Sequence, residues 1–289
     1  MNRIKIIIFA LLFIPLSGFT QDEEPLTQKE KRKNRTTYRG MNYLSLGVGS
    51  FRDFATSPLT YSGISLMSGG FKLKVDEERE TKWGAPISVG FFGTSINDHS
   101  SSSTVISFSP YYSKLYQLKS LSSENLNVKL GGMLQATMNV RTNVDLANNG
   151  VGLEIIPTLF GSAQATWDVS RRVDKDKKFL FFKYKLLKRK KSLAFRLNTG
   201  LINASYRNGY AYSGQSFLLN KPDIFDGYQF KVFSGFRMSS SLDYTLYSRK
   251  TTNAVQISYV WDALRTGGDL DKFEMAQHAI RLTLLFNTQ

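Results

Sequence analysis

Two groups of side chains in this sequence have the chemistry to act. The first is a set of charged residues at alternate positions in long runs: Lys129, Glu154, Asp168, Arg196, Lys231, Arg237, Asp243 and Arg281. Each falls on the polar parity of a run whose other parity is apolar, so all should face one compartment. Both signs occur. In a narrow interior they can pair into a network that satisfies buried polar groups, or they can line a selective passage. The paired network is the plainer expectation. The second group is Asn97-Asp98-His99-Ser100, which has the residue types of a Ser–His hydrolase. Neighbouring side chains on a strand point to opposite faces, so His99 and Ser100 are not expected to form a dyad. His278 sits on an apolar parity with no serine partner in view. No catalytic residue is assigned, and the chain is expected not to be an enzyme.

No cofactor is expected either. There is no cysteine, and His99 and His278 are the two histidines of the chain, so disulfides, thiolate chemistry and a multi-histidine zinc site are excluded. Gly69-Gly70 and Gly131-Gly132 lie inside alternating runs and lack the spacing of a phosphate-binding loop; such glycines mark kinks or close approach in a curved sheet.

The net charge of +15 is concentrated in two places. Residues 28–39 hold six basic residues against one acid, and residues 171–191 hold eleven against two. A nucleic-acid binder would need a reading element as well as positive charge. None is found, so nucleic acid is not an expected partner. Lys183, Lys185, Lys188, Arg189, Lys190 and Lys191 are instead the candidates for docking a protein partner in the outer membrane or periplasm, peptidoglycan-associated material, or anionic head groups.

The elements that must position these residues follow from periodicity. Residues 1–20 read as a signal peptide: Arg3 and Lys5 precede the apolar run Ile6 to Leu16, and Gly18 and Thr20 precede a cut that leaves Gln21 first. The run is too short for a spanning helix, and no later stretch is long enough either. Residues 21–39 read as a flexible basic lead-in. From residue 40 the pattern switches to period two. Leu126 to Val140, Val151 to Val169 and Tyr228 to Leu246 alternate without a break, whereas strands of soluble proteins usually have about 5–6 residues. Weaker alternations run over 41–50, 61–75, 83–91, 105–117, 193–206, 255–263 and 276–286. The expectation is an all-β fold: a closed antiparallel up-and-down transmembrane β-barrel over 40–289, with about ten strands, within a range of about 8–12. The mean hydropathy of −0.24 fits such strands, which face lipid on one side only. External loops are expected near 52–59, 95–103, 142–150, 207–226 and 264–275. Periplasmic turns are expected near 76–81, 119–124, 173–190 and 249–252. The basic excursion at 173–190 is long for such a turn and reads either as an extra hairpin below the membrane or as an interfacial amphipathic segment.

The signal followed by Gln21, the ten alternating segments and the last run, Ala276 to Phe286, resemble outer-membrane β-barrel proteins of the Bacteroidota type. The terminal alternation ending in Phe resembles the signal read by the barrel-assembly machinery, although Asn287, Thr288 and Gln289 follow it here. The resemblance implies a cell outer-membrane location, with outer-membrane lipid as one partner. The functional expectation is a non-enzymatic structural or accessory subunit of an outer-membrane assembly. The alternatives are a small porin-like transport barrel and, less favoured, a barrel lipid hydrolase.

Overall fold

The computed structural model describes residues 35–97, 99–146, 150–208, 225, 227–268 and 271–288. The expected signal peptide and nearly all of the lead-in lie outside these residues. Strand β1 begins at Thr36, so the last four residues of the expected lead-in are strand instead.

The chain forms β1 (Thr36–Asp53), β2 (Ser57–Val75), β3 (Arg79–Gly84), β4 (Ile87–Ile96), β5 (His99–Phe108), β6 (Tyr111–Gln117), β7 (Leu126–Thr142), β8 (Val151–Asp168), β9 (Lys175–Phe179), β10 (Phe182–Leu186), β11 (Lys191–Asn208), β12 (Tyr228–Val232), β13 (Phe236–Tyr247), β14 (Ala254–Thr266) and β15 (Phe273–Asn287). Thirteen of them make one antiparallel sheet. β3 and β4 form one broken stave, as do β5 with β6 and β12 with β13. The wall is therefore a closed ten-stranded barrel, sealed where β1 pairs with β15.

The breaks have local causes. Proline has no N–H to give to a ladder, and Pro86 and Pro110 stand where the third and fourth staves are interrupted. Their carbonyls still serve: Ser109 N–H donates to Pro86 O and Ala136 N–H to Pro110 O, both at 3.0 Å, so the wall stays tied. The third break falls at Phe233-Ser234-Gly235, where Phe233 (φ 56°) and Gly235 (φ 80°) take left-handed backbone.

Alternation sorts the two faces of the wall. On β7, Leu130, Leu134, Met138 and Val140 point outward, while Lys129, Thr137, Asn139 and Arg141 are buried inside. Leu134 is 56% exposed and Arg207 1%, the reverse of a water-soluble protein. An apolar exterior around a polar interior is stable when the surroundings are lipid. Trp83, Tyr116 and Trp167 stand on this exterior near the end where β1 begins and β15 finishes, whereas Tyr61, near the opposite end, is buried inside.

The connections fall into two sets. At the end carrying the termini (the turn end) are 76–78, 118–125, 169–190 and 248–253; at the other (the loop end) are 54–56, 97–98, 143–150, 209–227 and 267–272. The expected loop at 95–103 is instead a two-residue hairpin turn, with Asn97 at φ 46° and both flanking segments in strand. Most of the 207–226 loop lies outside the described residues. The basic excursion is a hairpin: β9 and β10 form their own two-stranded sheet, joined to the wall's end by the bridge Arg171↔Arg189. It adds no stave, so the later strands keep the expected parity.

Candidate functional site in the barrel interior

The interior has three levels. At the loop end it is filled by Phe51, Tyr61, Phe92, Val105, Ile156, Leu264 and Phe273. Phe51 stacks on Tyr61 at 5.2 Å and meets Phe92 edge-on at 5.2 Å. Beside these rings lie two buried carboxylates and two buried guanidiniums. Arg207 pairs with Asp53 (2.8 Å) and Glu154 (3.4 Å); Arg141 pairs with Asp53 and with Glu154 (3.3 Å). Asn139 donates to Glu154 Oε2 at 3.3 Å. Both cations also lie over Phe273, at 5.5 and 5.2 Å from its centroid. Asp271, just before β15, closes over this group: Arg207 donates to its carbonyl, and its carboxylate holds Lys231 at 2.7 Å. The result is a charge-balanced plug.

Below the plug is a cavity of about 550 Å³, within the range of small-molecule sites. Most of the residues that line it are polar, and it extends to Thr36, Asp76, Glu77 and Lys190 at the turn end. Arg196 spans it, donating to Ser113 Oγ (2.7 Å) and Glu80 Oε1 (3.4 Å). Gln164 also donates to Glu80, at 2.7 Å. Arg237 donates to Thr137 Oγ1 (2.8 Å) and pairs with Asp262 (3.3 Å). Lys129 donates to the carbonyls of Asp76 (2.6 Å) and Arg79 (3.3 Å). Near the turn end Tyr38, Phe71, Ala254 and Leu285 form a small apolar group, and the Phe71 ring lies where any side chain at Gly40 would be.

Seven of the charged residues read from the sequence face the interior or its loop-end rim: Lys129, Glu154, Arg196, Lys231, Arg237, Asp243 and Arg281. Asp168 does not join them. Its parity is right, but it is the last residue of β8, beyond the enclosed interior, and it accepts from Ser170 N–H at 2.9 Å. The sequence reading missed Asp53, Glu80, Arg141, Arg207, Asp262 and Asp271. It also missed the apolar residues on polar parities, Phe51, Ile156 and Phe160 among them.

His99 and Ser100 are exposed neighbours on β5, and His278 faces outward with its Nδ1 2.5 Å from Tyr259 Oη. Among the described residues there is no group of His, Asp and Glu able to hold a metal.

The described docking candidates are held in different ways. Lys185 pairs with Asp174 at 3.7 Å on the hairpin, and the Lys188 N–H donates to the same carboxylate. Arg189 donates to the Tyr247 carbonyl at 3.0 Å, and Lys190 lies over the Tyr247 ring and lines the cavity mouth. Lys191 opens β11, its N–H donating to Ser170 Oγ. The side chain of Lys183 lies outside the described ones.

No family model and no curated protein matches the chain. Among solved structures it is similar to a mutant of the TodX monoaromatic hydrocarbon channel, with 7% identity over 88% of this chain and 90% of that one and a TM-score of 0.32. It is also similar to a Pseudomonas aeruginosa FadL homologue, with 6% identity over 89% and 91% and a TM-score of 0.24. Likenesses this low leave the reading of function to the interior itself.

Proposed function

We propose that this chain is a small outer-membrane barrel that admits small polar solutes into its lumen from the turn end and is gated at the loop end. The observation that carries this reading is the polar cavity of about 550 Å³, continuous with the turn-end mouth and stopped at the other end by the plug. A purely structural barrel of this size gains stability by filling its interior, and this one leaves a solute-sized space. With both termini at the turn end, that mouth faces the periplasm after signal cleavage near Thr20. The protein acts without enzymatic chemistry. Its membrane is the outer membrane of a cell of the Bacteroidota type.

The test is conductance in planar bilayers, with liposome swelling by the neutral sugar arabinose as a second readout. Wild type is expected to be nearly closed. Arg207→Ala, which removes one cation from the plug, is expected to pass ions and arabinose. A folded Arg207→Ala barrel that stays closed to both would overturn the transport reading.

One observation favours an accessory-subunit role. The β9–β10 hairpin carries exposed lysines and ends in Leu180 and Phe181, the latter 91% exposed. A protruding element of this composition suits docking to a partner or to anionic head groups. Recovery of a stable stoichiometric partner in mild detergent, lost when 175–186 is deleted, is the expected result of that reading.

A further inference from the structure

Most charges facing the cavity are compensated. Arg196 is balanced by Glu80 and Arg237 by Asp262. Lys82 and Lys190, nearer the mouth, lie over the rings of Phe71 (4.2 Å) and Tyr247 (5.0 Å). Two lining groups differ. Arg281 donates to the sulfur of Met67 at 3.3 Å, a weak acceptor, and its buried Nε has no partner. Asp243 accepts a hydrogen bond from Ser241 at 3.2 Å and forms no ion pair among the described residues.

These two residues share one row of the wall. Asp243 pairs in register with Ser258, Ser258 with Arg281, and Arg281 with Ser45. Ser258 is small and lines the cavity together with Asp243 and Arg281. The Arg281 guanidinium is thus under-satisfied at the cavity wall. A carboxylate is the group that would accept from it. The register step across two strand spacings separates the Asp243 and Arg281 backbones by about 10 Å. The Arg281 side chain leans further away, toward Met67 on β2. The two form no ion pair with each other, which leaves both charges to a ligand that reaches across the row.

The geometry points to a binding site for an elongated zwitterion of short-peptide type: its carboxylate on Arg281, its ammonium on Asp243. A backbone gap of about 10 Å is the length of three extended residues, and the lean of Arg281 toward Met67 adds to it, so the fit is to a tripeptide or longer. This deepens the solute-barrel reading and rests on it.

The experiment is calorimetric titration of the mature barrel in detergent micelles with glycine, glycylglycine and triglycine, and with triglycine N-acetylated or C-amidated. Affinity should rise along the series. Blocking either end of triglycine should cost about tenfold or more, the scale of one lost charge-assisted contact. Arg281→Gln should abolish the penalty for amidation and Asp243→Asn the penalty for acetylation, with heat-modifiable migration showing that each variant is folded. Triglycine binding no tighter than its blocked forms overturns the site on wild type alone, whatever the variants do. If the Arg207→Ala barrel passes arabinose while triglycine fails to bind, the inference falls and the transport reading stands. If triglycine binds as expected while that barrel passes nothing, transport falls and the site stands.

Discussion

Arg207 is the residue on which the plug most depends, because it joins Asp53, Glu154 and the loop carbonyl of Asp271 from a fully buried position. Arg207→Ala leaves two carboxylates buried beside one cation, a loss of about 3–5 kcal/mol for a broken buried pair. It should lower the urea midpoint of the folded barrel. Asp271 makes the same region acid-sensitive. Burial pushes its carboxyl up, but the Lys231 ammonium and the Gly268 N–H outweigh that, holding it below the usual carboxylate range. A depressed folded pKa stabilises the loop above the unfolded value of about 3.9, and that stabilisation is lost as pH falls through the folded value. Conductance is therefore expected to increase below about pH 4, and Asp271→Asn should remove that part of the acid response. Parity identified most of the interior charges but not these. Asp53 and Asp271 lie in segments that read as loops. Arg141 stands one position past the end of the alternation. Arg207 opens the expected 207–226 loop, and parity would have misplaced it as well: the register slips between Gly200 and Ile202, so Arg196 and Arg207, an odd number of positions apart, face the same way.

Among the elements, β7 gives the cleanest contrast between lipid and lumen. Leu134 faces out and Gln135 lines the cavity. Leu134→Arg should cost about 2–4 kcal/mol near mid-membrane and Gln135→Arg little, read as the fraction that folds into lipid vesicles. Equal folding of the two would reverse the face assignment. The hairpin calls for a different substitution set from the one the sequence suggests. Lys188 to Lys191 read as a run of free charge, but Arg189 and Lys190 engage Tyr247 at the rim and Lys191 starts a stave. Changing Lys175, Lys177, Lys178 and Lys185 to Ser confines the test to the hairpin. It should leave barrel folding unchanged while weakening salt-sensitive co-flotation with anionic vesicles. The ten staves were legible because alternation is a property of each strand alone. The breaks at Pro86 and Pro110 were legible in the residues, yet alternation continues through them and hides the loss of ladder bonds.

For the whole molecule, the closed wall predicts faster gel migration before boiling than after, and a chain that migrates identically in both states would argue against a barrel. The plug was the least legible feature. Its apolar part comes from β1, β2, β4, β5, β8, β14 and β15 and its two guanidiniums from β7 and β11, and its aromatic rings occupy positions that parity assigns to polar groups. Only the folded arrangement gathers them. Closure has a kinetic side as well. The seam joins the first strand to the last, from Tyr38↔Asn287 to Asp53↔Phe273. These are the most sequence-distant pairings of the sheet, and such contacts form slowly. Until β15 arrives, β1 and β14 are open edges with apolar faces, the combination that templates aggregation. The final fifteen residues of the sheet therefore act as a commitment step: a chain stalled before them is an adhesive half-cylinder rather than a weaker barrel.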